Sequence, residues 1–142
     1  MKELIGNPVV VHPLLPTDPA DRQGYLGTIS HVSYDNEIME VSFEDGKRSL
    51  YLTDALLVLK SHRELSRDMT DGHLRLDAKE LKTLIDINTI LENGTLPQQH
   101  EALRMALSNE QILRLATVSL TSRLELMLPE DMHPYWQKGT RR

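Results

Sequence analysis

The chain has 142 residues, of which 39% are hydrophobic and 26% are charged, values typical of a folded globular protein rather than a disordered one. It contains no cysteine, which excludes disulfides, thiolate metal sites and thiol nucleophiles within this sequence. The net charge is −5, and this acidic balance disfavours binding to a nucleic-acid backbone, which requires a surplus of lysine and arginine.

Residues 8–59 alternate apolar and polar side chains, a pattern typical of half-buried β-strands. The strand candidates, in chain order, are PVVVH, YLGTISHV, IMEVSF, RSLYL and LLVL. Between the third and the fourth, Asp45-Gly46 predicts a tight hairpin turn, because these residues tolerate positive φ angles. The second candidate departs from strict alternation after Ile29, which predicts a bulge or sharp bend. Five short strands with tight turns predict a small, strongly bent β-barrel over residues 1–60.

The sequence period changes after the fifth strand candidate. Residues 61–76 are polar and rich in charge, and we interpret them as a linker or a short exposed helix. Residues 77–128 repeat apolar side chains at helical spacing, which predicts a three-helix bundle followed by a tail over 129–142. Asp77 and Glu80 form a capping box at the start of the first helix. The predicted fold class is therefore α+β, with an N-terminal barrel and a C-terminal helical segment.

Two of the predicted helices carry apolar stripes that are wider than an isolated three-helix unit needs. In the first helix, Ile87 and Ile90 widen a stripe formed by Leu81, Leu84, Ile85 and Leu91. The barrel, a binding partner or a second copy of the chain must cover the excess. A homo-oligomer through helices 77–93 and 111–128 is one of these expectations.

The segment DRQGYLGTISHVSYDNEIMEVSFEDGKRSLYLTDAL, residues 21–56, resembles the Tudor branch of the SH3-like barrels, and especially the Tudor domains of Polycomb-like chromatin proteins. The resemblance covers about residues 8–59 and implies a five-stranded SH3-like (Tudor-like) barrel. It also implies an aromatic cage, in which Tudor domains often hold a methylated lysine or arginine by cation–π attraction. Tyr25 and Phe43 match cage positions, whereas Ser49 stands where the family has an aromatic residue and the first-loop tryptophan has no counterpart. We carry over the fold and a possible groove, without methyl-lysine binding.

Four aromatic residues are candidates for a partner-binding groove at one barrel mouth, and they are Tyr25, Tyr34, Phe43 and Tyr51. The proline-rich loop over residues 12–24 is expected at one barrel mouth, because connecting loops carry variation and binding function. The alternative is structural. Phe43 then belongs to the barrel core, and the tyrosine rings cover the barrel rim.

The segment MLPEDMHPYWQ, residues 127–137, holds the only tryptophan, Trp136, beside Tyr135. Two interpretations are open for this tail. It is an extended arm that docks in an apolar groove, or its two rings fold back onto their own bundle.

Motifs for catalysis are not found: the sequence has no glycine-rich phosphate loop, no HExxH and no Gly-x-Ser-x-Gly. The best acidic cluster has a spacing that fits no known cation loop, and its members are Asp68, Asp71, His73 and Asp77. We expect a non-catalytic module that binds a peptide or protein and uses no cofactor or metal. One alternative is a nucleic-acid-binding barrel whose basic face includes Arg22, Lys47 and Arg48; another is an enzyme with a scattered site.

The expected location is the cytoplasm. No apolar window approaches the length of a membrane span. The first residues lack the unbroken apolar run of a signal peptide, because Pro8 and Pro13 interrupt them.

Overall fold

A computed structural model describes residues 4–18, 20–33, 35, 37–71 and 75–127, and it is a mixed α and β structure as expected. The strands are β1 Pro8–Val11, β2 Leu26–Val32, β3 Ile38–Phe43, β4 Arg48–Leu52, β5 Leu56–Leu59 and β6 Thr117–Ser119. The α-helices are α1 His62–Thr70, α2 Ala78–Asn93, α3 Leu96–Leu107, α4 Glu110–Ala116 and α5 Leu120–Met127. A single 3-10 turn, Thr53–Ala55, joins β4 to β5.

The strands form one antiparallel six-stranded sheet in the order β4-β3-β2-β1-β5-β6. The predicted closed barrel of five strands is not confirmed, because the sheet is open and has β4 and β6 at its edges. A sixth strand arises from residues far along the chain, where Val118 pairs with Val58 of β5. The predicted count of three helices is not confirmed either, since the described residues contain five α-helices.

The third predicted helix, over 111–128, is wrong in a specific way. The chain forms α4, then the short strand β6, and then α5. The helix stops at Ala116, whose carbonyl accepts a hydrogen bond from the Lys60 backbone N–H at 2.8 Å. Thr117 and Val118 are β-branched and favour the extended backbone, so they continue as a strand along the open side of β5.

Two local features lie where the sequence predicts them. The pairing of β2 with β3 shifts register between Ile29 and His31. Gly46 has a φ of +85° in the β3–β4 turn, a left-handed conformation that glycine adopts at no steric cost. Gly27 is required for a different reason. A Cβ atom there would collide with Val41 and lie 3.3 Å from the Phe43 ring.

Strand β1 is buried on both faces and separates two apolar cores. On one side, Val9 and Val11 pack with the inward residues of β2 to β5 and with Leu120 of α5. On the other side, Val10 packs into the second core, which is built by α1 to α4 and includes Leu65. The sheet and the helices are therefore held together through β1, whose unbroken apolar sequence suits a strand covered on both sides.

Candidate functional site

Three of the predicted groove residues come together in an aromatic cluster of Tyr25, Phe43 and Tyr51. Tyr25 immediately precedes β2, and the others lie on β3 and β4, so the neighbouring positions of these strands bring the rings into contact. The ring centroids are 6.4 Å apart for Tyr25 and Phe43, and 6.5 Å apart for Phe43 and Tyr51. Both pairs are edge-to-face, which is a favourable arrangement for aromatic rings.

The three rings differ in how much surface they present. Tyr25 is 51% exposed, whereas Phe43 and Tyr51 are 6% and 5% exposed. Within the cluster, Tyr25 therefore offers the principal surface to a partner, and the other two rings belong to the first core. Three other predicted binding residues lie outside the described residues, and they are Tyr34, Tyr135 and Trp136.

A cation from the same chain lies over the aromatic cluster. The guanidinium carbon of Arg22 is 5.1 Å from the centre of the Tyr25 ring and 4.9 Å from that of Phe43. Its side chain is only 15% exposed and forms an ion pair of 2.6 Å with Asp45. The hydrogen bond from Arg22 lowers the pKa of Asp45, and a second hydrogen bond, from the Lys47 backbone N–H, contributes. Arg22 thus lies over one face of each of these two rings, in a position that an external cation would otherwise take.

A second contact fixes the loop over residues 12–24, which joins β1 to β2. The Tyr51 hydroxyl donates to Asp18 at 2.8 Å, and the same carboxylate accepts the backbone N–H groups of Arg22 at 2.9 Å and Ala20 at 3.0 Å. Burial raises the pKa of Asp18, but these three hydrogen bonds outweigh it and lower the pKa overall. Burial, followed by the bond to Asp18, raises the pKa of Tyr51 to about 12.

Beside this loop lies a cleft of about 700 Å³, which we call the α4 cleft. His12, Leu14 and Gly24 contribute to its wall from the 12–24 loop. Its apolar lining comes from several elements of the fold. The lining residues include Leu57 of β5, Leu107 of α3, Leu113 of α4 and Val118 of β6. Tyr25 follows Gly24 in the chain, but its ring packs against Phe43 and is not part of the cleft lining.

The α4 cleft also has polar residues, which would orient a bound segment. Asp54, Glu110 and Arg114 line it, and the last two form an ion pair of 3.4 Å along α4. The Nδ1 atom of His12 accepts the Leu14 backbone N–H at 3.1 Å, so this nitrogen is already used within the loop. The sequence did not predict the cleft, because its lining comes from separate parts of the chain. Of these parts, the sequence indicated a binding role for the proline-rich loop over residues 12–24.

Several other charged residues singled out in the sequence have local partners. Lys60 pairs with Asp68 at 2.5 Å, and Asp77 accepts the Glu80 backbone N–H as the helix cap of α2. Of the three cations proposed for a basic face, Arg22 is paired with Asp45, and Arg48 lies 3.7 Å from Glu40.

In the part of the chain that the structure describes, no group of three or more histidine, aspartate or glutamate side chains is placed to hold a metal ion. None of its helices combines the length and apolar character that crossing a membrane requires.

Comparison with known proteins adds no family to these observations. No protein-family model matches the chain, and neither the curated proteins nor the solved structures give a significant match.

Proposed function

We propose that the chain is a non-catalytic interaction module that binds an extended peptide segment of a partner protein in the α4 cleft. The observation that carries this proposal is the cleft itself, with its apolar lining between the 12–24 loop and α4. Its volume of about 700 Å³ lies within the range of binding sites that enclose several side chains.

The position of β6 favours an extended segment over a compact ligand. β6 is an edge strand of the sheet, and all three of its residues, Thr117 to Ser119, line the α4 cleft. An edge strand has backbone N–H and C=O groups that can pair with an added strand. A peptide in the cleft would combine such pairing with burial of alternate apolar side chains.

The aromatic cluster is a surface separate from the α4 cleft, because none of its three rings lines the cleft. Tyr25 is its exposed part, at 51%. Phe43 contacts the Tyr25 ring edge-to-face, and Tyr51 contacts Phe43 in turn. The Tudor-like relationship remains part of the proposal, and methyl-lysine binding is not included, because Arg22 already covers the Tyr25 and Phe43 rings.

The test is selection of random displayed peptides on the purified full chain, followed by affinity measurements with two variants. Leu14→Glu places a charge in the cleft wall, and Leu50→Glu is the matched control on β4. Both leucines are well exposed, at 78% and 65%, so neither substitution disturbs a core.

We expect selected peptides with spaced apolar residues, and an affinity that falls about tenfold or more in Leu14→Glu, since burying one leucine contributes roughly 1.5–3 kcal/mol. Leu50→Glu should bind like the original chain. Failure to select any peptide, or an equal loss in both variants, would contradict the proposal. Salt-sensitive binding to random oligonucleotides instead would favour the nucleic-acid alternative.

A further inference from the structure

We infer that residues 128–142 of the chain bind in its own α4 cleft, with Tyr135 and Trp136 as the apolar contacts. The inference goes beyond the proposed function, because it requires the cleft but no partner protein. The occupant is specified by three properties: its distance from the cleft, its aromatic content and its distribution of charge.

The distance is short enough for the segment to return to the cleft. Ser119 lines the cleft, and α5 begins at the next residue. The eight residues of α5 extend about 12 Å at the helical rise of roughly 1.5 Å per residue. From residue 128 to Tyr135, an extended chain covers up to about 23 Å, at roughly 3.3 Å per residue. The aromatic pair can therefore reach the cleft without any rearrangement of α5.

The chemistry of the segment fits the lining. Tyr135 and Trp136 are large rings with a polar edge, suited to a cleft that is apolar inside and open to water at its rim. Pro129 and Pro134 disfavour helix and favour extended backbone in the residues that precede them. An extended segment is the form that can pair along the edge of β6.

The charges of the segment also complement those of the cleft. Acidic residues precede the aromatic pair, and basic residues follow it. The cleft offers both signs, with Arg114 against Asp54 and Glu110. Because Arg114 and Glu110 already pair with each other, Asp54 is the lining charge that the basic end of the segment would meet, at the modest energy that exposed pairs provide.

The experiment uses the tryptophan of the segment as its own reporter. Trp136 is the single tryptophan of the chain, so fluorescence excited at wavelengths that the four tyrosines do not absorb reports on this segment alone. Acrylamide quenching and the emission maximum are measured for the original chain, Leu14→Glu, Leu14→Lys and Leu50→Glu. The two Leu14 variants carry opposite charges, so an effect that they share comes from the altered apolar wall.

We expect a blue-shifted, protected tryptophan in the original chain and in Leu50→Glu, and quenching several-fold greater in both Leu14 variants. The values should not depend on protein concentration. Quenching of the original chain equal to that of a free indole would overturn the inference. So would protection that both Leu14 variants retain, because the ring would then pack elsewhere. Protection that disappears on dilution would assign the occupant to a second copy of the chain.

The outcomes separate this inference from the proposed function. A protected Trp136 with no selected peptide would support the segment as occupant and contradict partner binding. An exposed Trp136, together with selected peptides that require Leu14, would support partner binding and contradict the segment as occupant. If the cleft binds both the segment and a partner peptide, a selected peptide should displace the segment and increase the quenching of Trp136.

Discussion

Replacing Tyr51 with phenylalanine removes the hydroxyl that donates to Asp18 at 2.8 Å and leaves the ring in place. The ring keeps its edge-to-face contact with Phe43, so the substitution isolates one hydrogen bond from the packing of the first core. The bond joins β4 to the 12–24 loop and, with Arg22 and Asp45, anchors this loop on the sheet. Its loss should therefore affect both stability and the wall of the α4 cleft.

The expected loss in the free energy of unfolding is about 1.5–3 kcal/mol, the range for a hydrogen bond to a charged acceptor. The upper part of the range applies if water cannot reach the vacated position, and Tyr51 is only 5% exposed. The Asp18 carboxylate retains its two backbone N–H donors, which limits the loss.

The assay is equilibrium unfolding in urea at neutral pH, with Tyr25→Phe as the control. Tyr25 is half exposed, so loss of its hydroxyl should change the free energy by no more than about 0.5 kcal/mol. Both variants should keep the original m-value. An unchanged midpoint in Tyr51→Phe, or an equal loss in the control, would refute the role given to the Tyr51–Asp18 bond.

Four further predictions concern the same region. In an ultraviolet titration, one tyrosine should ionise near pH 12, and this step should be absent from Tyr51→Phe. The stability that the raised pKa of Tyr51 contributes is complete below pH 10 and is lost as the pH rises through 12. At acid pH, the lowered pKa of Asp18 should make stability fall as the pH drops below 3.8, and this part of the acid loss should shrink in Tyr51→Phe. In Arg22→Ala, the carboxyl of Asp45 should titrate at higher pH by NMR, and an unchanged value would contradict the ion pair. Gly27→Ala should lower the free energy of unfolding by roughly 1–3 kcal/mol in the same urea assay, because the added Cβ collides with Val41 of β3. An unchanged free energy of unfolding would contradict the close contact between β2 and β3 at this position.

Several elements of the fold were predictable because their determinants are close together in the chain. The alternation in β3 places Met39, Val41 and Phe43 on one buried face, as the sequence pattern predicts. The reciprocal hydrogen bonds of Asp77 and Glu80 form the expected capping box of α2. A strand period, a turn dipeptide and a helix cap each depend on a few neighbouring residues, so the sequence alone determines them.

The remaining features required the tertiary structure. The apolar spacing across α4 and α5 resembles one helix, and only the open side of β5 explains why Thr117 to Ser119 form β6. The aromatic residues could be selected by type, but their exposure depends on Arg22 and Asp18, which the 12–24 loop brings over the sheet. The α4 cleft combines residues from 12 to 119. Its shape therefore depends on contacts between distant segments, whose formation is decided by packing rather than by local sequence preference.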